Sequence, residues 1–405
     1  MIKIAVLGYG TVGSGVVEVI QTNGELIHKR IGDTLEIKYV LDLREFPGSP
    51  VEHLITHDFE EIVNDKEVKI VVEVMGGIEP AYTFVKRSLL AGKSVATSNK
   101  ALVAKHGAEL LAIAKENHLN FLFEASVGGG IPIIRPLTSS LTGDDIVEIT
   151  GILNGTTNFM MSKMYNENAD YDAVLKEAQA RGYAERDPSA DVEGHDACRK
   201  IAILSSIIAG KQVDFEDIYT EGITNITLQD IQYAKAMDMK IKLLASCKHT
   251  GEKVGAIVAP HYVSKSHPLY NIEDVFNAIF VKGNMLGDAM FYGSGAGKLP
   301  TASAVVGDIV EAAKNLDRSM MCMWDADKLQ LEEKSEMKKK FFVRIKGSED
   351  TLKVELESVF GEIQIVKLDA VNDEFGFMTT VMSEGNYEAC AKQFSQICHM
   401  IRVEA

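Results

Sequence analysis

A helical pair of Asp and Lys is the first place where this sequence could support proton transfer. Asp196 and Lys200 are four residues apart, so both project from one face of the helix expected from about 195 to 209. The second half of that helix is strongly apolar, which predicts a position inside the fold. A buried lysine has a lowered pKa and can exchange protons near neutral pH. An ordinary i,i+4 ion pair is the alternative that the spacing leaves open.

A loop rich in carboxylates leads into this helix. Glu185, Asp187 and Asp191 surround Pro188, and Gly194 marks the break before the helix. Glycine and proline are the residues that most strongly interrupt regular structure. The carboxylates beside the helix make proton transfer by its lysine as reasonable an expectation as a simple ion pair.

The chain opens with a strand, a glycine-rich turn and a helix. The apolar run 2–7 is followed by Gly8-Tyr-Gly10-Thr-Val-Gly13 and by a helical pattern from Ser14. In this setting Gly8 permits a tight turn, Gly10 lets the main chain approach a pyrophosphate, and Gly13 allows close helix packing. The N–H groups at the helix start are suited to phosphate. The pattern predicts a dinucleotide-binding site.

Strand–helix units repeat through roughly the first 125 residues, which predicts a parallel sheet covered by helices on both faces, a Rossmann-type α/β domain. Asp42 and Arg44 follow the second predicted strand. An acid there would bind the ribose 2′-hydroxyl of NAD, and an arginine would favour the 2′-phosphate of NADP. Because both are present, NAD and NADP remain open, as does the simpler interpretation of two solvated charges.

Two further features follow strands of this domain. Lys100 comes after the short strand 94–96, at the end of the sheet where ligands of open α/β folds collect. A surface lysine at a helix start is the alternative. Three consecutive glycines, 128–130, precede Pro132. They exclude regular structure and leave carbonyls free for a ligand or cation, although a loop between domains would have the same composition.

From residue 145 onward the pattern becomes a mixture of strands and helices, and 341–403 has the order βαββα(β) of a ferredoxin-like fold. We therefore expect a Rossmann-type domain, an α+β catalytic and dimerisation domain, and a small C-terminal module. The predicted boundaries are 1–133 (with 298–315 returning), 134–297, a linker 316–340, and 341–405.

Composition limits the class of protein. The formal charge of −16 over 405 residues argues against nucleic acid, which needs a basic surface. The five cysteines include no CxxC pair and no spacing typical of metal ligands. The chain starts directly with a strand, and no apolar run reaches membrane-spanning length. These features predict a cytoplasmic protein with no membrane partner.

The motifs, taken in order, resemble those of homoserine dehydrogenase from residue 1 to about 313. Beyond the dinucleotide fingerprint they are 98–100 (Ser-Asn-Lys), 124–130, 151–158, 183–204 and 292–297. The resemblance implies NADPH- or NADH-dependent reduction of L-aspartate-4-semialdehyde to L-homoserine, a step in threonine, methionine and isoleucine biosynthesis. It also implies that Lys200 is the proton donor or acceptor on the substrate oxygen. Lys100 would lie between the substrate and the nicotinamide, as a second lysine of the catalytic site that also contacts the cofactor.

The same resemblance implies further binding residues. Glu185 and Asp196 would hold the amino and hydroxyl groups of the substrate, with Asp191 in support. The remaining residues that it implies are Tyr183, Gly155 and Thr156 for substrate; Gly10, Thr11, Val12, Gly76 and Gly297 for cofactor; and, for a monovalent cation (Na⁺ or K⁺), the main chain at Glu124, Val127, Gly129 and Ile131.

The C-terminal module resembles an ACT domain, which implies an amino-acid effector such as threonine. Gly347-Ser-Glu-Asp350 stands where that domain usually has an Asp-x-Pro-Gly turn, so a contact between subunits of a homodimer or homotetramer is an equal expectation. Two other functions remain open. One is a dehydrogenase of another small amino or hydroxy acid, and the other is a non-catalytic sensor of NAD(P).

Overall fold

The computed structural model describes residues 1–250, 253–316, 318–320, 322, 324–369, 371 and 373–404. The chain forms two compact units. The first unit comprises 1–145, 202–215 and 291–329, and the second comprises 146–201, 216–290 and 330–405. No helix in the described part of the chain is both long enough and apolar enough to cross a bilayer.

The helices are α1 (Thr11–Thr22), α2 (Gly24–Ile31), α3 (Phe59–Asn64), α4 (Ala81–Leu90), α5 (Lys100–Glu116), α6 (Gly155–Glu167), α7 (Tyr171–Ala180), α8 (Ser189–Val192), α9 (His195–Ala209), α10 (Leu228–Ala236), α11 (Lys298–Lys314), α12 (Glu349–Phe360) and α13 (Glu384–Ala391).

The strands are β1 (Ile2–Leu7), β2 (Leu35–Leu41), β3 (Ile55–Thr56), β4 (Val68–Glu73), β5 (Ser94–Thr97), β6 (Phe121–Leu122), β7 (Ile146–Ile152), β8 (Lys211–Gln212), β9 (Tyr219–Thr220), β10 (Met239–Thr250), β11 (Lys253–Ser264), β12 (Phe276–Gly283), β13 (Gly287–Ser294), β14 (Asp325–Lys328), β15 (Lys338–Lys346), β16 (Ile363–Val366), β17 (Glu374–Thr379), β18 (Met382–Ser383) and β19 (Ile397–Glu404).

The first unit is built on a parallel sheet with the strand order β3-β2-β1-β4-β5-β6. Its central strands are apolar on both faces, because helices cover both sides of such a sheet. Helix α11 returns to this unit late in the chain, and its Val305 and Ile309 share a core cluster with Ile4 and Val6. The predicted parallel α/β domain at the N-terminus is confirmed, and the order matches the doubly wound arrangement that binds dinucleotides.

The second unit contains a long mixed sheet with the order β13-β12-β7-β10-β11-β19-β15-β17-β16. The C-terminal elements contribute its last four strands, which are antiparallel to one another. Strand β19 also pairs in parallel with β11, with His261 opposite Arg402 and Val263 opposite Glu404. We predicted a separate C-terminal module, whereas β19 joins its sheet to the preceding one.

The predicted linker 316–340 also contains regular structure. Strand β14 pairs with β8 inside the first unit, and β15 begins at Lys338. Residues 317, 321 and 323 of this segment lie outside the described residues. The boundary between the units therefore falls near residue 330 and does not follow the predicted linker.

Buried arginines connect the C-terminal strands to the rest of the second unit. Arg402 on β19 donates to both carboxylate oxygens of Glu384 and, at 2.7 Å, to Glu221. Arg344 on β15 bridges Asp230 and Glu374, each at 2.8 Å. The planar guanidinium group suits such paired contacts with carboxylates. These ion pairs are one reason why residues 330–405 do not form a separate body.

Candidate active site

Helix α9 holds the Asp–Lys pair inside the second unit. It begins directly after Gly194, whose φ of +85° is a conformation that favours glycine. The Nζ atom of Lys200 donates to Oδ2 of Asp196 at 2.7 Å. The two side chains are only 10% and 6% exposed. The pair is therefore buried, and a solvated surface ion pair does not describe it.

A second acceptor fixes the position of the lysine amine. Lys200 Nζ also donates to the main-chain carbonyl of Leu153, at 2.7 Å. Leu153 follows the last residue of β7 and immediately precedes the polar turn that begins helix α6. A carboxylate on its own helix and a carbonyl from a neighbouring strand end thus hold the amine from two elements.

Asn154, which the sequence analysis did not select, connects the carboxylates of this site. Its Nδ2 atom donates to Oδ1 of Asp191 at 2.7 Å and to Oδ2 of Asp196 at 2.9 Å. Its Oδ1 accepts from the N–H of Thr157 at 2.9 Å, which caps α6. An Asn before a predicted helix start is a capping signal, but nothing local in the sequence shows the two carboxylates.

The other predicted substrate residues fall into two groups. Thr156 donates to the main-chain carbonyl of Tyr183 at 2.7 Å, so these two are brought together. Gly155 begins α6, and a Cβ atom there would lie 2.7 Å from the carbonyl oxygen of Val275. In contrast, Glu185 is exposed, and its main-chain carbonyl accepts from Gln179 at 3.0 Å.

The glycine turn of the first unit has the geometry that a pyrophosphate needs. Gly8 has a φ of +101°. A Cβ atom on Gly13 would lie 1.9 Å from the carbonyl oxygen of Gly8, so only glycine fits there. At Gly10 nothing lies within 4 Å of an added Cβ, which leaves room for a ligand. Helix α1 starts at Thr11 without a side-chain cap, so its first N–H groups are suited to phosphate.

Asp42 and Arg44 pair with each other after β2. Asp42 accepts from the N–H of Tyr9 at 2.8 Å and from Nε of Arg44 at 3.0 Å. The Arg44 guanidinium holds the pKa of Asp42 at about 2, well below its usual range. The Arg44 side chain is 63% exposed. The structure therefore presents both the acid for a ribose hydroxyl and the cation for a 2′-phosphate.

Glu73 is a second residue that the sequence analysis did not select. This buried carboxylate ends β4 and accepts from Thr97 at 2.6 Å and from the N–H groups of Met75 and Gly76 at 2.8 and 3.3 Å. Burial raises its pKa. It thereby holds the turn at Gly76, which is one of the predicted cofactor residues.

The neighbouring turn positions Lys100. Asn99 caps α5 by accepting from the N–H of Leu102 at 3.1 Å, and it also donates to the carbonyl of Gly77. Lys100 is the first residue of that helix and is half-buried. The loop after β4 and the helix that carries Lys100 are therefore linked by hydrogen bonds.

The segment predicted to hold a cation uses its one acidic side chain elsewhere. The Glu124 carboxylate accepts from the N–H groups of three consecutive residues at 2.6, 2.8 and 2.8 Å, namely Ile133, Ile134 and Arg135. Gly129 has a φ of +54°, and a Cβ there would lie 2.4 Å from the carbonyl of Gly295. Across the described residues no group of three or more His, Cys, Asp or Glu could hold a metal. The predicted cation site therefore depends on main-chain oxygens, such as those at Val127 and Ile131.

Comparison with known proteins identifies the family. A family model described as "Homoserine dehydrogenase" matches residues 132–310, and one described as "Homoserine dehydrogenase, NAD binding domain" matches 8–124. The homoserine dehydrogenase of Mycobacterium tuberculosis H37Rv is 46% identical over 321 residues, which are 78% of this chain and 73% of that protein. The chain belongs to the homoserine dehydrogenase family.

Other homoserine dehydrogenases agree with this assignment. That of Bacillus subtilis is 43% identical over 318 residues, covering 78% of this chain and 73% of the relative. A solved homoserine dehydrogenase from Thiobacillus denitrificans has a TM-score of 0.92 and 34% identity, covering 100% of this chain and 98% of that one. A hyperthermophilic archaeal homoserine dehydrogenase solved in complex with NADPH has a TM-score of 0.64 and 28% identity, covering 77% and 97%.

The family assignment confirms the main functional prediction from the sequence. The chain is an NAD(P)-dependent oxidoreductase whose N-terminal unit is the NAD-binding domain. The matched residues 132–310 include α9, the carboxylate loop and Asn154. The buried Asp–Lys pair therefore lies within the family-defining part of the chain.

Proposed function

We propose that the chain reduces L-aspartate-4-semialdehyde to L-homoserine with NADPH or NADH, and that Lys200 donates the proton to the substrate oxygen. In the reverse direction Lys200 would accept that proton. The observation that carries the proposal is the buried amine of Lys200, held at 2.7 Å by both Asp196 and the Leu153 carbonyl. A fixed amine of this kind suits general acid–base catalysis.

The division of labour follows from the chemistry. When bound, the nicotinamide cofactor supplies or accepts the hydride. The protein must then orient the substrate and exchange one proton at the oxygen atom. The Leu153 carbonyl and the Asp196 carboxylate hold the amine of Lys200 in place, which limits the loss of entropy in that step. We assign Lys100 as a second lysine of the catalytic site.

The carboxylates fit the charge of the substrate. An α-ammonium group favours a site with negative charge, and Asp191 and Asp196 lie next to the lysine through their shared contact with Asn154. We assign Asp196 and Glu185 to the amino and hydroxyl groups of the substrate, with Asp191 in support. Gly155, Thr156 and Tyr183 would complete the substrate site.

The cofactor would be held by the first unit. We assign the glycine turn, Gly76 and Gly297 to it, with Asp42 and Arg44 at the ribose. Gly297 precedes α11 with a φ of +122° and no side-chain cap. We further propose a monovalent cation, Na⁺ or K⁺, on main-chain oxygens at Glu124, Val127, Gly129 and Ile131, because hard cations prefer oxygen ligands.

The C-terminal elements and the assembly complete the proposal. Residues 341–404 have the βαββαβ order on which the ACT-like assignment rests, so they are a candidate site for an amino-acid effector. The turn Gly347-Ser-Glu-Asp350 departs from the usual pattern of that domain. We propose a homodimer or homotetramer.

Steady-state kinetics test the proposed function. The purified chain should oxidise L-homoserine with NAD⁺ or NADP⁺, and it should be far less active on malate, glycerate or aspartate. Adding K⁺ or Na⁺ should raise the rate, and adding L-threonine tests for an effector. Comparable turnover of another panel member, or dinucleotide binding without turnover of any of them, would contradict the proposed substrate.

A further inference from the structure

Asn154 lies at the junction of β7 and α6, and every polar atom of its side chain is engaged. Oδ1 accepts from the N–H of Thr157 at 2.9 Å and from its hydroxyl at 3.0 Å. Nδ2 donates to Asp191 and Asp196 at 2.7 and 2.9 Å. The orientation of the amide follows from its partners, since an N–H group faces Oδ1 and two carboxylates face Nδ2. The residue is also buried.

Two consecutive residues thus hold both members of the catalytic pair. The carbonyl of Leu153 accepts from Lys200 Nζ at 2.7 Å. The amide of Asn154 donates to the same Asp196 oxygen that accepts from the lysine. Any shift of this strand end would move the Leu153 carbonyl, which accepts from Lys200, together with the Asn154 amide, which donates to Asp196. The distance between amine and carboxylate therefore depends on the junction.

The amide also joins two carboxylates. Asn154 Nδ2 lies within hydrogen-bond distance of both Asp191 and Asp196. Asn154 therefore fixes the positions of two carboxylates that we assign to the substrate. A helix cap alone does not require these two contacts.

We propose that Asn154 is a positioning residue, which sets the geometry of Lys200, Asp196 and Asp191. The proposal rests on the proposed role of Lys200. Asn154 acts through these residues and not on the reacting atoms themselves. Its removal should therefore affect both the rate constant and the apparent affinity for the amino-acid substrate, and should leave the dinucleotide unaffected.

Two substitutions separate this role from helix capping. Asp is as good a cap as Asn, so Asn154→Asp keeps the contact with Thr157, loses the N–H donor and adds a third carboxylate. Asn154→Ser keeps a capping oxygen, replaces the two amide N–H donors by one shorter hydroxyl, and adds no charge. Asp170→Ala is the matched control, because Asp170 caps α7 through the N–H of Ala173 at 3.0 Å in an exposed position.

In Asn154→Asp we expect kcat for L-homoserine oxidation to fall about 10- to 100-fold, the size of effect that a misplacement near 1 Å produces. The KM for homoserine should rise, and the KM for the dinucleotide should stay within about twofold. Lys200 contacts Asp196 of α9, and Asn154 links Asp196 to Asp191 of α8. A carboxylate added from the β7–α6 junction stabilises the ammonium form, so the pH–rate profile should shift to higher pH.

In Asn154→Ser kcat should also fall, but the pH–rate profile should not shift to higher pH. This variant provides the test if Asn154→Asp does not fold. Asp170→Ala should keep wild-type kinetics. If Asn154→Asp and Asn154→Ser both keep kcat, KM and the pH profile of the wild type, Asn154 is only a cap and the proposal is wrong.

Lys200→Ala is measured beside them. If Lys200→Ala loses turnover but the Asn154 variants keep the kinetics of the wild type, only the positioning role is wrong. If Lys200→Ala keeps its turnover, the proposed mechanism is wrong.

Discussion

The Lys200 pair and the Arg402 cluster are both buried ion pairs of the second unit, yet they differ in the cation and in what surrounds it. Lys200 is held by one carboxylate and one main-chain carbonyl. Arg402 contacts two carboxylates and spans three elements of the fold through Glu384 and Glu221. A lysine can release its proton when buried, whereas a guanidinium group remains charged.

This difference indicates how the fold uses buried charge. At the site where we propose proton transfer, the cation is a lysine that contacts a strand-end carbonyl and a carboxylate of its own helix. Where elements distant in the chain must be joined, the cation is an arginine with two acids. Losing one partner of such a cluster leaves a buried charge without compensation, which is strongly destabilising. We therefore propose that a buried ion pair serves proton transfer at Lys200, whereas the buried ion pairs of Arg402 hold elements of the fold together.

The largest effect on stability is expected at the arginine cluster. Arg402→Met should destabilise the second unit by roughly 3–5 kcal/mol, because Glu384 and Glu221 lose their shared cation. Differential scanning calorimetry would measure this as a lower Tm. The double variant Arg402→Met/Glu384→Gln should recover part of the loss, since the fully buried acid is then neutral. If Arg402→Met leaves the Tm unchanged, the Arg402 cluster does not stabilise the fold, and the comparison with Lys200 fails.

A third ion pair, between Asp42 and the exposed Arg44, extends the comparison to the proposed cofactor site. The Arg44 side chain is 63% exposed, so Arg44→Ala should leave the Tm nearly unchanged. It should raise the KM for NADPH at least about 10-fold through the lost 2′-phosphate contact, and alter the KM for NADH much less. If the KM values for NADPH and NADH change equally, Arg44 does not bind the 2′-phosphate.

The smallest effect is a pH dependence of stability. Burial works to raise the pKa of Asp230, but His399 and Arg344 outweigh it and hold the pKa at about 2. This value lies below that of the unfolded chain, so the contribution is full above about pH 4 and is lost as pH falls toward 2. The gap in unfolding free energy between wild type and Asp230→Asn should shrink by about 1 kcal/mol from pH 6 to pH 3. Urea unfolding would measure it, and a constant gap would contradict the assignment.

Local sequence signals were sufficient for much of the first unit. The glycine spacing from Gly8 to Gly13 follows a strand and precedes a helix, and the structure has a glycine-specific contact there. The apolar helix that carries Asp196 and Lys200 also predicted a position inside the fold, although the i,i+4 spacing left an ordinary ion pair equally open; the structure shows that the pair is buried. In both cases the information lies within a few turns of the chain.

What the sequence did not reveal depends on contacts between distant residues. Asn154 meets Asp191 and Asp196 from 37 and 42 positions away. The pairing of β19 with β11 brings residues near 262 and 403 together, and no local pattern selects that partner. Glu73 was missed for a similar reason, because its side-chain partner Thr97 lies 24 positions away.

The most direct test of the account is kcat for L-homoserine oxidation in Lys200→Arg. Arginine keeps the positive charge beside Asp196 but does not release a proton. If Lys200 transfers the proton, kcat should fall by about 10²- to 10⁴-fold while the variant stays folded. A folded Lys200→Arg variant with turnover within about threefold of wild type would contradict the proton-transfer role.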